Sequence, residues 1–465
     1  MKIHYIKSAA ILCMVSAYLS SCTKLIEIPP NPASQIPGTV LFADSAGVMN
    51  AWASIYTGFG PSTMNFYSGS ITIATGLTGD ELSTSPSAFP TDLAVQTNNM
   101  TAMDGRSTAL WSDAYSNLFR INSCLENIEG TQVISAKLKN QLIGEAKFTR
   151  AYTYFYLVNL FGGVPIITTT DYERNRREPR ASVDAVYAQI MSDLTDAKRL
   201  VMDDYPSAGR ARPNKMVVNA FLARVYLYRG QWNNAEVAAT DVISSGVYSM
   251  APLASIFLKD SREAIWQLPS NATFAQTGEA FNFIPISPTN SRYPNYIVSP
   301  LMINSFETGD LRKTQWLGSK TVLGNAYIYP AKYKQRTVDG SPAEDYILFR
   351  LSEMYFIRAE AFARQEKNTD AITDLGRIRN LARVGLAPYS GPVNSAAIIT
   401  AILKERRVEF FCENSHRWYD LKRTGTIDQV LGTEKPAFWQ STDALFPIPQ
   451  SQRDFNPFLT QNPGY

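Results

Sequence analysis

The sequence predicts a mainly α protein: stacked helical hairpins carrying a loop-rich, irregular second layer. Three observations lead there. From Gly144 to Ile167 (GEAKFTRAYTYFYLVNLFGGVPII), Ala151, Tyr154, Phe155 and Val158 recur at the i, i+3, i+4, i+7 spacing of a buried helix face. Phe148, Leu157, Leu160 and Phe161 widen that face around most of the cylinder, so the helix needs helical neighbours on several sides. Paired helices recur near 214–245 and 348–381, whereas 58–103 and 251–344 lose the long period and fill with turn residues.

At 465 residues the chain exceeds the size at which one core usually stops growing. Its apolar fraction of 45% is that of a folded protein. The formal charge is only +3, with no long basic run or stripe, which excludes a nucleic-acid partner. Aromatics make up 12% of the residues, enough to leave some rings for a binding surface after the core is filled.

Residues 1–21 read as a signal peptide: Lys2 and Lys7 precede a short apolar run from Ala9 to Leu19. That run is too short to span a bilayer, which takes roughly 20 residues. Leu19-Ser20-Ser21-Cys22 looks like a bacterial lipobox, making Cys22 the expected lipid attachment site and new N-terminus. Three acyl chains, palmitate among them, would hold such a protein durably where one holds it marginally. Residues 22–40 form the lipidated N-terminus and an extended tether, because Ile28-Pro29-Pro30-Asn31-Pro32 suits neither helix nor central strand. Of the remaining cysteines, Cys124 and Cys412 lie in partly apolar helical surroundings that favour buried thiols over a disulfide.

A helical region covers 41–250, with an inserted loop at 58–103. Its first helix is expected from Phe42 to Tyr56, on the pattern Val48, Trp52, Ile55, Tyr56. The insert is too long for a plain connection, and such loops often carry function. Leu110 to Ile128 and Ala136 to Phe161 pair antiparallel; Gly162-Gly163 stops the second and Pro165 prevents its restart. Ser182 caps a helix from Val183 to Met202, and Asn214 starts another. The stretch ARVYLYRGQWNNA, with a small-residue turn, an aromatic and an Ala, resembles a tetratricopeptide hairpin. The second part, 251–465, divides into an irregular segment 251–344, a helical segment 345–425 and a proline-broken tail 426–465. In it Leu348 to Arg364 with Ala371 to Leu381 gives a second hairpin, and Ile398 to Glu413 a charged helix.

Five stretches in this order and spacing resemble the SusD/RagB family of outer-membrane nutrient-binding lipoproteins. They are the Gly144–Ile167 helix, ARVYLYRGQWNNAEVAATDVISSGVYSM, LFRLSEMYFIRAEAFAR, KERRVEFFCENSHRWYDLKRTG and the terminal QNPGY. The resemblance implies a tetratricopeptide-like superhelix, lipid-anchored at the outer membrane and facing outwards. It also implies a SusC-like TonB-dependent transporter as partner, no cofactor, and capture of oligosaccharide or, in some members, peptide. Other classes are a lipoprotein glycosidase, needing two carboxylates ~5–10 Å apart across a cleft, and a ligand-free partner of the transporter.

A sugar presents flat C–H faces and a fringe of hydroxyls, so its site needs exposed rings flanked by Asn, Gln, Asp or Arg. Loops at 66–99 and 274–296 combine the two. Their candidate ligand-binding rings are Phe66, Tyr67, Phe89, Phe274, Phe283, Tyr293 and Tyr296. Taken singly, each ring is more readily a packing residue that pins its loop. Other constellations fall short. Cys412 and His416, four apart on an expected helix, have no second ligand pair to complete a metal site or catalytic dyad. Glu405, Glu409 and Glu413 alternate with Lys404, Arg406 and Arg407, the pattern of ion pairs that fix packing. Asp80, Glu81 and Asp92 lack EF-hand spacing for calcium. Arg174-Asn175-Arg176-Arg177 is a short basic run on a loop, solvated or facing a protein partner.

Overall fold

The computed structural model describes residues 38–59, 64–270, 276–287 and 289–465. The leader 1–21, Cys22, the proline-rich tether and Phe274 lie outside the described residues. Contacts divide the chain into a unit of residues 1–51 and one of residues 52–465. In the first, a one-turn helix (Gly38–Leu41) precedes Asp44, whose carboxylate accepts the Gly47 N–H at 2.7 Å and starts α1 (Ser45–Phe59), of which the residues from Trp52 on are counted with the second. The rest of the description concerns the larger unit.

The insert expected as loop holds a helix, α2 (Ser70–Thr78), buried along its whole length, then β1 (Leu82–Thr84) and α3 (Pro90–Gln96). Its sequence SITIATGLT is β-branched and glycine-bearing, a poor helix former by propensity. Burial of Ile71, Ile73, Ala74 and Leu77 overrides that, and Thr75 Oγ1 returns its hydrogen to the Ile71 carbonyl at 2.8 Å.

Next come α4 (Gly105–Gly130) and α5 (Ala136–Phe161), each started by a side-chain cap, Asp104 and Ser135 respectively. From Phe148 to Val158 every residue of α5 is buried, as the all-round apolar pattern requires. It packs between α4 and α6 (Val183–Leu200), and Arg150 clamps it to Asp193 of α6 through two bonds of 2.9 and 2.7 Å. Gly162, at φ +72°, ends it in a conformation that favours glycine. The last carbonyls do not go unpaired: Asn462 donates to Phe161 O at 3.0 Å and to Phe446 O at 2.7 Å, and Arg180 reaches Phe161 O at 3.0 Å. The terminal QNPGY is thus a cap for the central helix.

The first hairpin is α7 (Lys215–Tyr228) and α8 (Trp232–Ser244), turning at Gly230 with φ +66°. Strand β2 (Ala264–Leu268) follows, and farther on come α9 (Gly278–Phe283), β3 (Tyr296–Val298), and the hairpin of β4 (Leu317–Val322) and β5 (Asn325–Pro330). Strand β6 (Tyr346–Arg350) runs antiparallel to β2, and only then does the second hairpin begin, α10 (Leu351–Arg364) with α11 (Asn368–Ile378). The expected helix start at Leu348 is therefore three residues early, because Leu348 to Arg350 complete the sheet. Phe356, Ala359, Ala371, Leu375, Ile398 and Ile402 form one apolar cluster joining this hairpin to α12 (Ser395–Glu409).

The core between helices and strands is aromatic. Trp266 meets Phe148, Tyr152 and Phe349 at centroid distances of 4.9, 5.0 and 5.6 Å, and its indole N–H donates to Ala211 O at 2.9 Å. Each such pair adds about 0.5–1.5 kcal/mol beyond its buried area. Cys124 and Cys412 are both buried, and no disulfide joins them.

Candidate ligand-binding surface

The irregular layer is held together at one clamp. Strand β1 pairs antiparallel with β3, placing Thr84 opposite Tyr296. Pro90 opens α3 with its φ already helical, which sets Asp92 in the first turn. The Asp92 carboxylate accepts the Tyr296 hydroxyl at 2.8 Å and is ion-paired with Arg106 of α4. Burial pushes the Tyr296 phenol well up; the Arg106 charge pulls against this and the Asp92 carboxylate adds to it, so the hydroxyl stays a donor. Lys320 of β4 donates at 2.7 Å both to Ser287 O and to Asn290 Oδ1, tying the loop after α9 to the hairpin.

Around this clamp the rings sort into two groups. Phe66 and Tyr67 are buried; Tyr67 stacks on Phe59 at 3.8 Å and 9°, its hydroxyl 2.6 Å from Thr153 Oγ1, with Phe66 edge-on to it at 4.9 Å. Phe283 is buried against Tyr296, centroids 6.1 Å apart, and Tyr296 is buried with it. The expectation that these four rings meet a ligand is corrected: their faces are taken up by protein, and they pin the loops instead. Two remain outside. Phe89 is 72% exposed, and Tyr293 is half-buried with its ring set at 85° to Tyr327, 5.2 Å between centroids.

Phe89 lies three residues before Asp92, and Tyr293 three before Tyr296. The Asp92–Tyr296 bond brings the two segments together, and three residues reach ~10 Å at most. Phe89 and the Tyr293–Tyr327 pair thus lie on segments joined by this one bond, and Asn99, Arg292 and Asn295 are exposed on the neighbouring stretches of chain. Tyr327 was missed by sequence reasoning. The signal was the alternation in NAYIYP, which marks a half-buried strand with every second ring on one face.

This surface can stack and hydrogen-bond, but its carboxylates are spoken for. Asp92 is bound as described, and buried Glu279 accepts from Gly69 N and Thr72 Oγ1, both at 3.0 Å. Elsewhere Glu405, Glu409 and Glu413 are buried among cations: Arg312 meets Glu405 and Glu409, Arg350 meets Glu409 and Glu413, and Arg383 meets Glu409. Glu409 is burdened by burial, yet Arg383 and Arg350 outweigh that and hold its carboxyl well below the usual range. These are the packing ion pairs the sequence pattern suggests.

The helix expected from Ile398 to Glu413 stops at Glu409, and α13 (His416–Arg423) starts afresh. Cys412, Asn414 and Ser415, at φ +50°, +45° and +62°, make the break, so Cys412 and His416 do not share a helix face. His416 packs against Phe410, ring centroids 4.4 Å apart and planes tilted by 32°, and burial, then the arginines around it, keep it neutral. Asp80 is paired with Arg407 and Arg417, each at 2.6 Å, and Glu81 accepts the Cys412 N–H at 3.2 Å. Among the described residues no group of three His, Cys, Asp or Glu side chains is placed to hold a metal ion. No helix among them is long and apolar enough to cross a membrane.

Comparison with known proteins agrees with this architecture. A family model described as "Starch-binding associating with outer membrane" matches residues 67–227, and one described as "SusD family" matches residues 324–465. SusD-like protein P2 of Formosa agariphila is 26% identical over 504 aligned positions, covering 96% of this chain and 97% of the relative. A SusD superfamily protein of Bacteroides vulgatus superposes with a TM-score of 0.79 at 18% identity, over 91% of this chain and 99% of its own. A laminarin-binding SusD-like protein does so with a TM-score of 0.73 at 24% identity, over 91% and 100%. With two models of one family taking in both its helical parts, and a relative aligned along nearly its whole length, the chain belongs to the SusD/RagB family.

Proposed function

We propose that this chain is an outer-membrane surface lipoprotein, held by lipid on Cys22, that binds an oligosaccharide and passes it to a TonB-dependent transporter. The observation that carries the binding step is the exposed ring of Phe89 and the half-buried Tyr293–Tyr327 pair, on segments joined by the buried Asp92–Tyr296 bond. Family membership and the laminarin-binding relative favour a glucan over a peptide. Bond breaking has no support in the layer, where Asp92 and Glu279 are bound by protein donors. Capture and release suit such a surface. A micromolar affinity corresponds to about −8 kcal/mol, enough to hold a passing chain and still let it go.

The reading is tested by calorimetry of the mature chain against maltoheptaose, laminarihexaose and a set of short peptides. Saturable heat with a glucan and none with peptides is the expected result; heat with peptides alone overturns it. Globomycin treatment of cells making the full chain should block processing before Cys22, and unchanged processing would remove the anchor from the account.

A further inference from the structure

A groove of about 500 Å³ lies away from the loop layer, lined by α4, the one-turn helix Tyr172–Asn175 and the C-terminal tail. Three large rings open into it: Phe119, 54% exposed, Tyr172, 70%, and Phe455, 76%. Scattered exposed rings are ordinary, but three in one concavity of ligand size are not. Along α4 the groove begins at Trp111, about 8 Å from Arg106 of the clamp, and its outward ring Phe119 lies about 20 Å from it.

Its floor is fixed. Trp111 packs on Tyr115 at 4.8 Å, the Tyr115 hydroxyl donates to Pro165 O at 2.9 Å, and Asn456 donates to Glu178 O at 2.8 Å. Asn175 donates to Thr169 O at 2.7 Å, which leaves its amide oxygen unspent. The Tyr172 hydroxyl and the Gln452 amide have no side-chain partner among the described residues. Arg176 is the one charged side chain in the lining, and Glu173 pairs with its Nε at 2.8 Å, so the groove is close to neutral. Rigid rings beside unspent amide and hydroxyl groups, with no net charge, match a neutral polyhydroxylated chain. They match a polyanion or a membrane surface poorly, since both call for clustered cations.

We infer that this groove is a second glycan-binding site, taking a neutral glucan segment by stacking on Phe119, Tyr172 and Phe455. The inference rests on the proposed glycan-binding function and extends it to a separate place. Two weak sites on one chain gain from avidity when the ligand is long enough to reach both, or when two chains of one polymer bind.

The test compares the full mature chain with two variants, one carrying Phe119→Ala, Tyr172→Ala and Phe455→Ala, the other Phe89→Ala, Tyr293→Ala and Tyr327→Ala. Laminarin and laminarihexaose are titrated calorimetrically, and hydroxyl-radical footprinting of the unaltered chain with laminarin gives a readout that needs no substitution. The groove variant should bind laminarin at least tenfold more weakly, the loop variant should keep one weak hexasaccharide site, and laminarin should protect Phe119, Tyr172 and Phe455. Unchanged binding by the groove variant with loss in the loop variant overturns this inference and leaves the proposed function standing. Absent heat with every glucan removes both. Protection of the groove by a second copy of the chain or by the detergent-solubilised transporter, and not by laminarin, overturns the glycan assignment.

Discussion

Burial first, and the charge of neighbouring Asp80 second, lift the Glu81 carboxyl from 4.5 to about 8. Asp80 goes the other way: burial works against its charge, but Arg417 and Arg407 outweigh it and hold it below the usual range. For Glu81 the folded chain keeps a proton that the unfolded chain has shed between pH 4.5 and 8. Its contribution is therefore whole below about pH 4.5 and is lost as the pH rises toward 8, at up to about 1.4 kcal/mol per pH unit. Glu81→Gln keeps an oxygen for the Cys412 N–H and never ionises. Its stability relative to the parent should climb between pH 5 and pH 8 in urea denaturation; a difference flat with pH would contradict the burial argument. Asn462 makes a second test at this scale. Asn462→Ala leaves the buried Phe446 carbonyl without its donor and Phe161 O with Arg180 alone, and should cost about 1–3 kcal/mol, with Tm falling accordingly.

The two hairpins solve the same turn with different residues. Gly230 takes φ +66° at no steric cost, while Glu366 takes φ +62° with a side chain attached. Gly230→Ala should therefore destabilise by about 1 kcal/mol, with an added Cβ meeting only the Trp232 ring at an ordinary 3.5 Å. Glu366→Gly should stabilise by a similar amount, both read from denaturant midpoints; equal signs for the two changes would refute the turn argument. The helices with caps and a clear period were legible in the sequence: Ser182 and Asn214 start helices where their side chains said they would. Helix α2 was not legible, because its stability comes from burial against distant parts of the chain and not from its own residues. The break at Cys412 to Ser415 was hidden too, since left-handed Cys, Asn and Ser carry no glycine to announce them.

Across the larger unit, buried ion pairs join segments far apart in sequence. Arg350 of β6 holds Glu263 at 2.9 Å and Glu409 of α12 at 2.7 Å, and Arg224 of α7 holds Glu353 of α10 at 2.6 Å. Removing one partner strands a buried charge, so Glu353→Ala should cost about 3–5 kcal/mol by denaturation, far more than an exposed pair would. The charge alternation around Glu405 and Glu409 revealed that pairs exist, but their partners, Arg312 in the irregular segment and Arg350 at the end of β6, could not be matched by spacing. The ligand surface was legible in the same partial way. Composition singled out the loops 66–99 and 274–296 as candidates, yet it could not separate rings that pack, such as Tyr67 and Phe283, from rings that face out, such as Phe89. Pleat and burial decide that, and both depend on the β1–β3 ladder.

The central claim is that the outward rings of the loop layer grip a neutral glucan. Its most direct test is the dissociation constant for laminarihexaose of the mature chain with Phe89→Ala and Tyr293→Ala, beside the unaltered chain at equal Tm. The account predicts binding weakened about tenfold or more, each lost stacking contact being worth about 0.5–1.5 kcal/mol. An unchanged constant would contradict it.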